Sequence, residues 1–172
     1  MTRPIINIAD IELLARPAAM SPSGATAERF EARFGRIGTQ IGAQQLGYNI
    51  TAVPPGKRAF PFHSHRANEE MFFVLQGAGE VRIGGATHPI RAGDFIACPA
   101  GGPDTAHQIV NTAGEELRYL AVSTLRSPEL AEYPDSGKFG VYAELPAGPD
   151  GKPGRFRHLG REAQCLDYWD GE

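Results

Sequence analysis

The sequence predicts an all-β domain, an antiparallel sandwich or barrel, and three observations lead to that prediction. Short β-rich runs recur about every ten residues between residues 44 and 124, each closed by Gly, Pro, Asn or Ser. No helical stretch between these runs is long enough to form a crossover connection, which excludes a parallel α/β sheet. Glycine and proline number 21 and 14 of the 172 residues, as expected for many turns and short strands.

The composition is that of an ordinary folded domain, with 41% hydrophobic and 22% charged residues. A net charge of −3 gives no overall attraction to nucleic acid or to an anionic membrane, so we expect neither as a partner. No apolar run reaches the ~18 residues of a spanning helix, and the N-terminus lacks the apolar core of a secretion signal. We therefore expect a cytoplasmic protein. Cys98 and Cys165 form no disulfide framework, although a single bridge between them stays open.

Residues 1–43 read as a lead-in to the β-rich region. Residues 8–16 fit either one or two turns of helix or a short strand. Residues 25–38 have apolar side chains at positions 27, 30, 34 and 37, and this spacing predicts a helix.

The predicted barrel core spans residues 44–125. Its first strand alternates apolar and polar side chains, which predicts one buried face made of Leu46, Tyr48, Ile50 and Ala52. The further predicted strands are 70–77, 79–85, 88–93, 94–99, 106–111 and 117–124.

The C-terminal extension, residues 126–172, is rich in proline and glycine but keeps enough apolar side chains to fold. We predict that it is ordered and packs on the barrel, across its mouth. Within it, the GPDGKPG segment at 148–154 is where we expect a flexible turn.

Three histidines and one glutamate form the strongest candidate site. His63 and His65 are two residues apart, so an extended strand projects both from the same face. Glu70 opens the next predicted strand, where it could meet His65 across neighbouring strands, and His107 lies far along the chain. Three imidazoles and a carboxylate suit one divalent transition metal, such as Fe, Mn, Zn, Ni or Co. A six-coordinate ion would keep two positions open, which is typical of a working site.

Two segments resemble the paired motifs of the cupin superfamily. Residues 56–77 carry a glycine, then His-x-His, four residues, Glu70, six residues and a glycine, as in the first motif. Residues 93–111 carry a glycine, Pro-x-Gly, His107, three residues and Asn111, as in the second. The chain departs from the pattern in two loops, with one extra residue before His63 and three extra residues before His107.

The resemblance covers roughly residues 44–124 and implies a single-domain, type-2 cupin with a jelly-roll barrel, that is, a double-stranded β-helix. It implies that His63, His65, Glu70 and His107 are the metal ligands. The adjacent Glu69 could compete with Glu70, but strand alternation puts Glu69 on the opposite side. The resemblance also implies a homodimer, since a jelly roll has exposed sheet edges that an N-terminal strand of a partner could cover.

Other side chains are weaker candidates. Lys57 and Arg58 stand next to the ligand strand and could hold an anionic substrate, although solvated loop charges are the simpler interpretation. Candidate pocket-lining residues are Tyr48, Phe60, Phe62, Phe72 and Ile109, with Asn49, Thr51, Gln108 and Tyr119 as polar candidates. No nucleotide-binding fingerprint is present, so no organic cofactor is expected, and the sequence identifies no catalytic acid or base.

Three functional hypotheses follow from these residues and from the resemblance. The favoured one is a metal-dependent enzyme acting on a small polar organic molecule, of the dioxygenase type or of the sugar-phosphate isomerase or epimerase type. The alternative is a non-catalytic module that binds or senses a small ligand with the help of the metal. A purely structural or storage role is disfavoured by the intact ligand set. A titratable group beside the metal would discriminate in favour of proton-transfer chemistry.

Overall fold

The computed structural model describes residues 4–148, 151 and 153–172, which contain thirteen strands and one short α-helix, α1 (Gly38–Ile41). Pro149, Asp150 and Lys152 of the expected flexible turn lie outside the described residues. The strands are β1 (Leu14–Ala15), β2 (Arg33–Arg36), β3 (Leu46–Val53), β4 (Ser64–His65), β5 (Glu70–Gln76), β6 (Ala78–Ile83), β7 (Ala86–Arg91), β8 (Phe95–Cys98), β9 (His107–Val110), β10 (Leu117–Thr124), β11 (Glu129–Tyr133), β12 (Lys138–Ala147) and β13 (Pro153–Gly160).

These strands form two facing layers of antiparallel sheet. The first layer is a six-stranded sheet in the order β1-β2-β3-β10-β5-β8. The second layer consists of β7-β6-β9 and β13-β12-β11-β4, which meet at an antiparallel bridge between His63 and His107. Antiparallel sheets with almost no helix confirm the all-β prediction.

The hydrophobic core lies between the two layers and draws side chains from both. The members with 6% exposure or less include Val53, Phe72, Val74, Leu117 and Tyr119 from the first layer and Val81, Ile90 and Ile109 from the second. Burial of each large apolar side chain contributes about 1.5–3 kcal/mol, so this contact is the main force that holds the layers together. Cys98 is buried in the same core, Cys165 is exposed, and both cysteines are free, so no bridge joins them.

The β-rich runs predicted between residues 70 and 124 are all strands, with bounds within two residues of those expected. The predicted helix over 25–38 is wrong. That segment holds a 3-10 turn at Gly24–Thr26 and then β2, and α1 begins only at its end. The reason is tertiary, because β2 pairs with β3 along its whole length and this pairing outweighs the helical spacing of a short segment. Residues 8–16 contain both predicted alternatives, a helical turn and a short strand. The 3-10 turn is Ile8–Asp10, and β1 follows it.

The predicted burial of β3 is wrong in part. Leu46 is 45% exposed, whereas Thr51, on the face expected to meet solvent, is fully buried and donates to Asn49 Oδ1 at 2.8 Å. The polar face of β3 is therefore directed into the barrel. The other face is covered near Ile50 by the lead-in, because Ile11 packs over Gly35, the β2 partner of Ile50.

The described part of the C-terminal extension forms β11, β12 and β13 and extends the second layer. Strand β11 pairs with β12 on one side and with β4, the strand of His65, on the other. The extension therefore lies directly beside the candidate site. Within the described residues, no helix has the length and apolar character needed to cross a membrane.

We predict that Asn111→Ala destabilises the fold by about 3 kcal/mol. Asn111 is fully buried, and its Nδ2 donates to the carbonyls of Val53 and Glu115, both at 2.8 Å. The substitution leaves these carbonyls without that donor and creates a small cavity. Urea denaturation measures the change, with the exposed Gln44→Ala as the matched control, for which we expect a change within about 0.5 kcal/mol. Equal midpoints for the two variants would contradict the prediction.

Candidate metal centre

Backbone pairing places two of the candidate histidines face to face. His63 N donates to His107 O at 3.2 Å, and His107 N donates to His63 O at 2.8 Å. His65 follows two residues later in β4, so its side chain leaves the same face as that of His63. Glu70 begins β5 in the opposite layer, so it meets the histidines across the barrel and not across neighbouring strands of one sheet.

The three histidine side chains converge on one carboxylate oxygen of Glu70. Glu70 Oε2 lies 2.9 Å from His107 Nε2, 3.5 Å from His65 Nε2 and 4.0 Å from His63 Nε2. The potential ligand atoms of His63, Glu70 and His107 all lie within 4.8 Å of one another. Ligand atoms that share one metal at ~2.1 Å are about 3 to 4 Å apart, so these three side chains could hold a single transition-metal ion after small shifts towards it.

The other ring nitrogen of each histidine is directed towards an acceptor. His63 Nδ1 donates to Pro61 O at 2.8 Å, and because a carbonyl only accepts, Nε2 of the neutral ring keeps a free lone pair. His65 Nδ1 lies 3.5 Å from Glu129 Oε2, which is an electrostatic contact too long for a strong hydrogen bond. His107 Nδ1 lies 3.5 Å from Thr105 O. Such outer partners orient imidazoles so that Nε2 faces a metal.

Burial and the neighbouring charges shift the pKa values of three side chains in the cluster. Burial, with the neighbouring His107, lowers the pKa of His63 to about 4, so its imidazole is neutral at pH 7. Burial alone would raise the pKa of Glu70, but hydrogen bonds from His107 and His65 hold it below its usual range. Burial alone would lower the pKa of His65, but Glu70 and Glu129 raise it above the usual value. The cluster thus contains an ionised carboxylate and at least one neutral imidazole.

Glu129 is a buried carboxylate that sequence reasoning missed. It accepts hydrogen bonds from the backbone N–H of Ala67 at 3.1 Å and of Asn68 at 2.9 Å, and from the Asn68 side-chain amide. It therefore fixes the loop that follows His65. Glu129, Ala131 and Tyr133 alternate along β11, and this alternation was visible in the sequence, but the pairing of β11 with β4 was not.

The cluster opens into an inner cavity of about 380 Å³. Two tyrosines from the extension line it, and their hydroxyl oxygens are 3.0 Å apart, so Tyr133 and Tyr142 share a hydrogen bond. The Tyr133 ring stacks on the His63 ring, with centroids 6.1 Å apart and an interplanar angle of 18°. Burial, with the bonded Tyr142 hydroxyl, raises the pKa of Tyr133, which therefore stays protonated at neutral pH.

The candidate pocket residues divide between the cavity and its surroundings. Those that line the inner cavity are Phe60, Phe72, Ile109, Asn49, Gln108 and Tyr119. Tyr48, Phe62 and Thr51 do not line it. Lys57 and Arg58 do not line it either, and Lys57 instead donates to Glu28 O of the lead-in at 2.8 Å. The structure therefore does not support an anion-holding role for these two residues.

An outer cavity of about 870 Å³ adjoins the inner one. Its walls come mainly from the lead-in and the extension, the two regions to which the sequence assigned no role. Phe60, Asn68, Tyr133 and Tyr142 line both cavities, so the two cavities meet at these side chains.

Comparison with known proteins, like the two sequence motifs, indicates a cupin domain. Residues 49–123 match the family model described as a cupin domain. An oxalate-binding protein of Thermotoga maritima is 34% identical over 73 residues, which is 42% of this chain and 57% of that protein. The matched segments span about half the length of the curated relatives.

Two solved structures extend this similarity to the fold. A sugar phosphate isomerase from a cupin superfamily, from Silicibacter pomeroyi, is 25% identical with a TM-score of 0.76, and the match covers 97% of this chain and 98% of that one. A cupin 2 conserved barrel domain protein from Rhodopseudomonas palustris is 16% identical with a TM-score of 0.54, over 70% of this chain and 76% of that one. The expectation of a double-stranded β-helix is confirmed.

We predict that Glu70→Gln lowers the content of bound divalent metal at least tenfold, because an amide oxygen lacks the charge that offsets the cation. Glu69→Gln is the matched control, since Glu69 is the exposed neighbour of Glu70. We expect this control to retain the wild-type metal content. Elemental analysis after loading with Mn²⁺ or Zn²⁺ measures both variants. A loss of metal in Glu69→Gln but not in Glu70→Gln would contradict the prediction and identify Glu69 as the carboxylate ligand.

Proposed function

Because this chain belongs to the cupin superfamily, we propose that it is a metal-dependent enzyme that transfers protons on a small polar substrate, as an isomerase or epimerase does. In this proposal His63, His65, Glu70 and His107 hold one divalent transition metal. Support comes from the convergence of three Nε2 atoms on Glu70 Oε2 and from the acceptors that orient each ring. A metal bound there would act as a Lewis acid that polarises a substrate oxygen.

The observation that carries the proposal is the Tyr133–Tyr142 pair. A proton-transfer enzyme needs a titratable group beside the reacting atoms, and the sequence alone identified none. The paired hydroxyls, 3.0 Å apart, line the same cavity as the histidines. Tyr133 holds its proton at neutral pH and would donate it to the substrate oxygen as that oxygen gains negative charge, with Tyr142 holding the Tyr133 hydroxyl in place. Water in the cavity would take up the carbon-bound proton, and both protons would return from water when the product forms.

Glu129, the carboxylate that lines the inner cavity besides Glu70, holds a loop in place. Glu129 accepts from two backbone N–H groups and one side-chain amide, so its oxygens are engaged in fixing the loop. Gln108 donates to Phe60 O at 2.7 Å and is likewise occupied. The tyrosine pair is therefore the group in this cavity best placed to move a proton. Similarity over nearly the whole chain to a sugar phosphate isomerase favours the same reaction type.

A second candidate is the binding module that the sequence left open. It is favoured by the 34% identity, over 73 residues, to an oxalate-binding protein of Thermotoga maritima. In that case the metal and the cavity would hold a small carboxylate without turnover. Oxygen chemistry, the other enzymatic branch of the sequence hypothesis, stays a prediction that oxygen uptake would test.

We predict that the metal-loaded protein catalyses exchange of a carbon-bound proton next to a carbonyl, and that Tyr133→Phe slows this exchange about a hundredfold. The measurement is the incorporation of deuterium from D₂O, followed by NMR, over a panel of aldose and ketose phosphates. Tyr168→Phe is the matched control, because Tyr168 is 85% exposed in the C-terminal segment and lines neither cavity.

Two outcomes would count against the proposal. Exchange that proceeds equally in Tyr133→Phe and Tyr168→Phe would remove the tyrosine pair from the reaction. Saturable binding of oxalate with no exchange on any member of the panel would favour the binding module instead.

We also propose a homodimer. The first layer ends in two edge strands with exposed apolar side chains, Leu14 of β1 at 56% exposure and Phe95 of β8 at 74%. We expect light scattering to give the mass of two chains, and the mass of one chain would refute the proposal. The cytoplasmic location, and the absence of nucleic-acid and membrane partners, stay predictions.

A further inference from the structure

The outer cavity is lined by more cationic than anionic side chains. Five of its lining residues are cationic, and they are Arg16, Arg126, Lys138, Arg155 and Arg157. Its two carboxylates are Glu144 and the loop-fixing Glu129. Among the residues that the structure describes, none of these five cations lies within 4.0 Å of a carboxylate oxygen. An excess of positive charge in a concave site attracts and retains anions.

Two other arginines near the barrel, Arg66 and Arg82, are arranged differently. Arg66 pairs with Glu132 at 2.7 Å, and Arg82 pairs with Asp135 at 3.0 Å. A guanidinium group that is paired with a carboxylate in this way attracts an anionic ligand only weakly. The outer cavity thus brings together five cations that have no carboxylate partner within 4.0 Å among the described residues.

Two cations of the extension, Lys138 and Arg157, lie against the tyrosine pair beside His63. Lys138 Nζ lies 5.5 Å from the centre of the Tyr133 ring, which stacks on His63. Arg157 lies 5.9 Å from the centre of the Tyr142 ring, whose hydroxyl bonds to that of Tyr133. The cationic groups of the extension thus border the tyrosine pair on the side of the outer cavity.

Arg16 reaches the same region from the lead-in. Its guanidinium carbon lies 5.0 Å from the centre of the Phe60 ring, which is itself 6.2 Å from the His63 ring. Of its five N–H donors, the described residues engage one, in a bond to Ala59 O at 2.7 Å. Its partial burial lowers the pKa of Arg16, which reflects the cost of holding a cation away from water. A bound anion would offset that cost.

We propose that the outer cavity is an anion subsite, which takes a phosphoryl or carboxylate group of the substrate through Arg16, Lys138 and Arg157. This rests on the proposed function, in which the uncharged, reacting end of the same molecule reaches the metal ligands and the tyrosine pair. A small substrate with an anionic end fits this division, because Tyr133 and Tyr142 line both cavities.

The proposed subsite lies outside the cupin domain match. Arg16 belongs to the lead-in, Lys138 and Arg157 belong to the extension, and the matched segment is 49–123. The barrel would therefore supply the metal ligands, and the flanking segments would select an anionic substrate.

The test is calorimetric titration of the full chain, as purified and after loading with Mn²⁺. The probes are inorganic phosphate, ribose 5-phosphate, ribose and oxalate. The variants are Lys138→Gln and Arg157→Gln, and Arg91→Gln is the matched control because Arg91 is exposed on β7 and lines neither cavity.

We expect ribose 5-phosphate to bind more tightly than ribose, and each variant to raise the Kd of the anionic probes about tenfold or more. Arg91→Gln should leave that Kd unchanged, and metal content should be the same in all three variants. Whether phosphate or oxalate binds more tightly identifies the anionic group. Equal affinities in wild type, Lys138→Gln and Arg157→Gln, or no binding of any anionic probe, would overturn the proposal.

Glu70→Gln separates this proposal from the proposed function. Phosphate binding that survives in this variant, and is still lost with Arg157→Gln, would establish the subsite even if no metal-dependent exchange were found. Deuterium exchange that persists while both cation variants bind anions normally would retain the function and remove the subsite.

Discussion

The reciprocal hydrogen bonds between the backbones of His63 and His107 are the constraint on which the site depends. They join the two parts of the second layer, and they set two imidazoles opposite each other on its inner face. Once the layers pack, Glu70 from the first layer is carried into the space between those imidazoles. The cavity at this end of the barrel is therefore a consequence of sheet pairing and needs no special loop conformation.

The C-terminal extension adds side chains to the site that the barrel strands form. Strand β11 pairs with the strand of His65, and this single contact brings Glu129 against the loop at Ala67 and Asn68 and brings Tyr133 over His63. The barrel strands thus position the candidate metal ligands, whereas the extension positions the polar groups around the open side of the site. This division explains how one fold can support different reactions, because the flanking segments can change while the ligand set stays.

The sequence predicts the barrel strands well because their turns and β-rich runs are local signals. It also identifies the four ligand candidates, since their spacing is set by strand alternation within the two motifs. It fails at residues 25–38, where pairing of β2 with β3 overrides a helical period, and at Thr51, where the barrel interior is polar. Tyr133, Glu129 and Arg157 could not be placed, because their roles depend on the long-range pairing of β4, β11, β12 and β13. Such pairings leave no trace in the spacing of one sequence.

The account rests on one claim, that three imidazoles and Glu70 hold a single divalent ion. Crystals of the Mn²⁺-loaded protein, measured above the manganese absorption edge, test it most directly. The account predicts one anomalous peak about 2.0–2.3 Å from Nε2 of His63, His65 and His107 and from a Glu70 oxygen. A map with no peak between these atoms, and with the hydrogen bond between His107 and Glu70 intact, would contradict it.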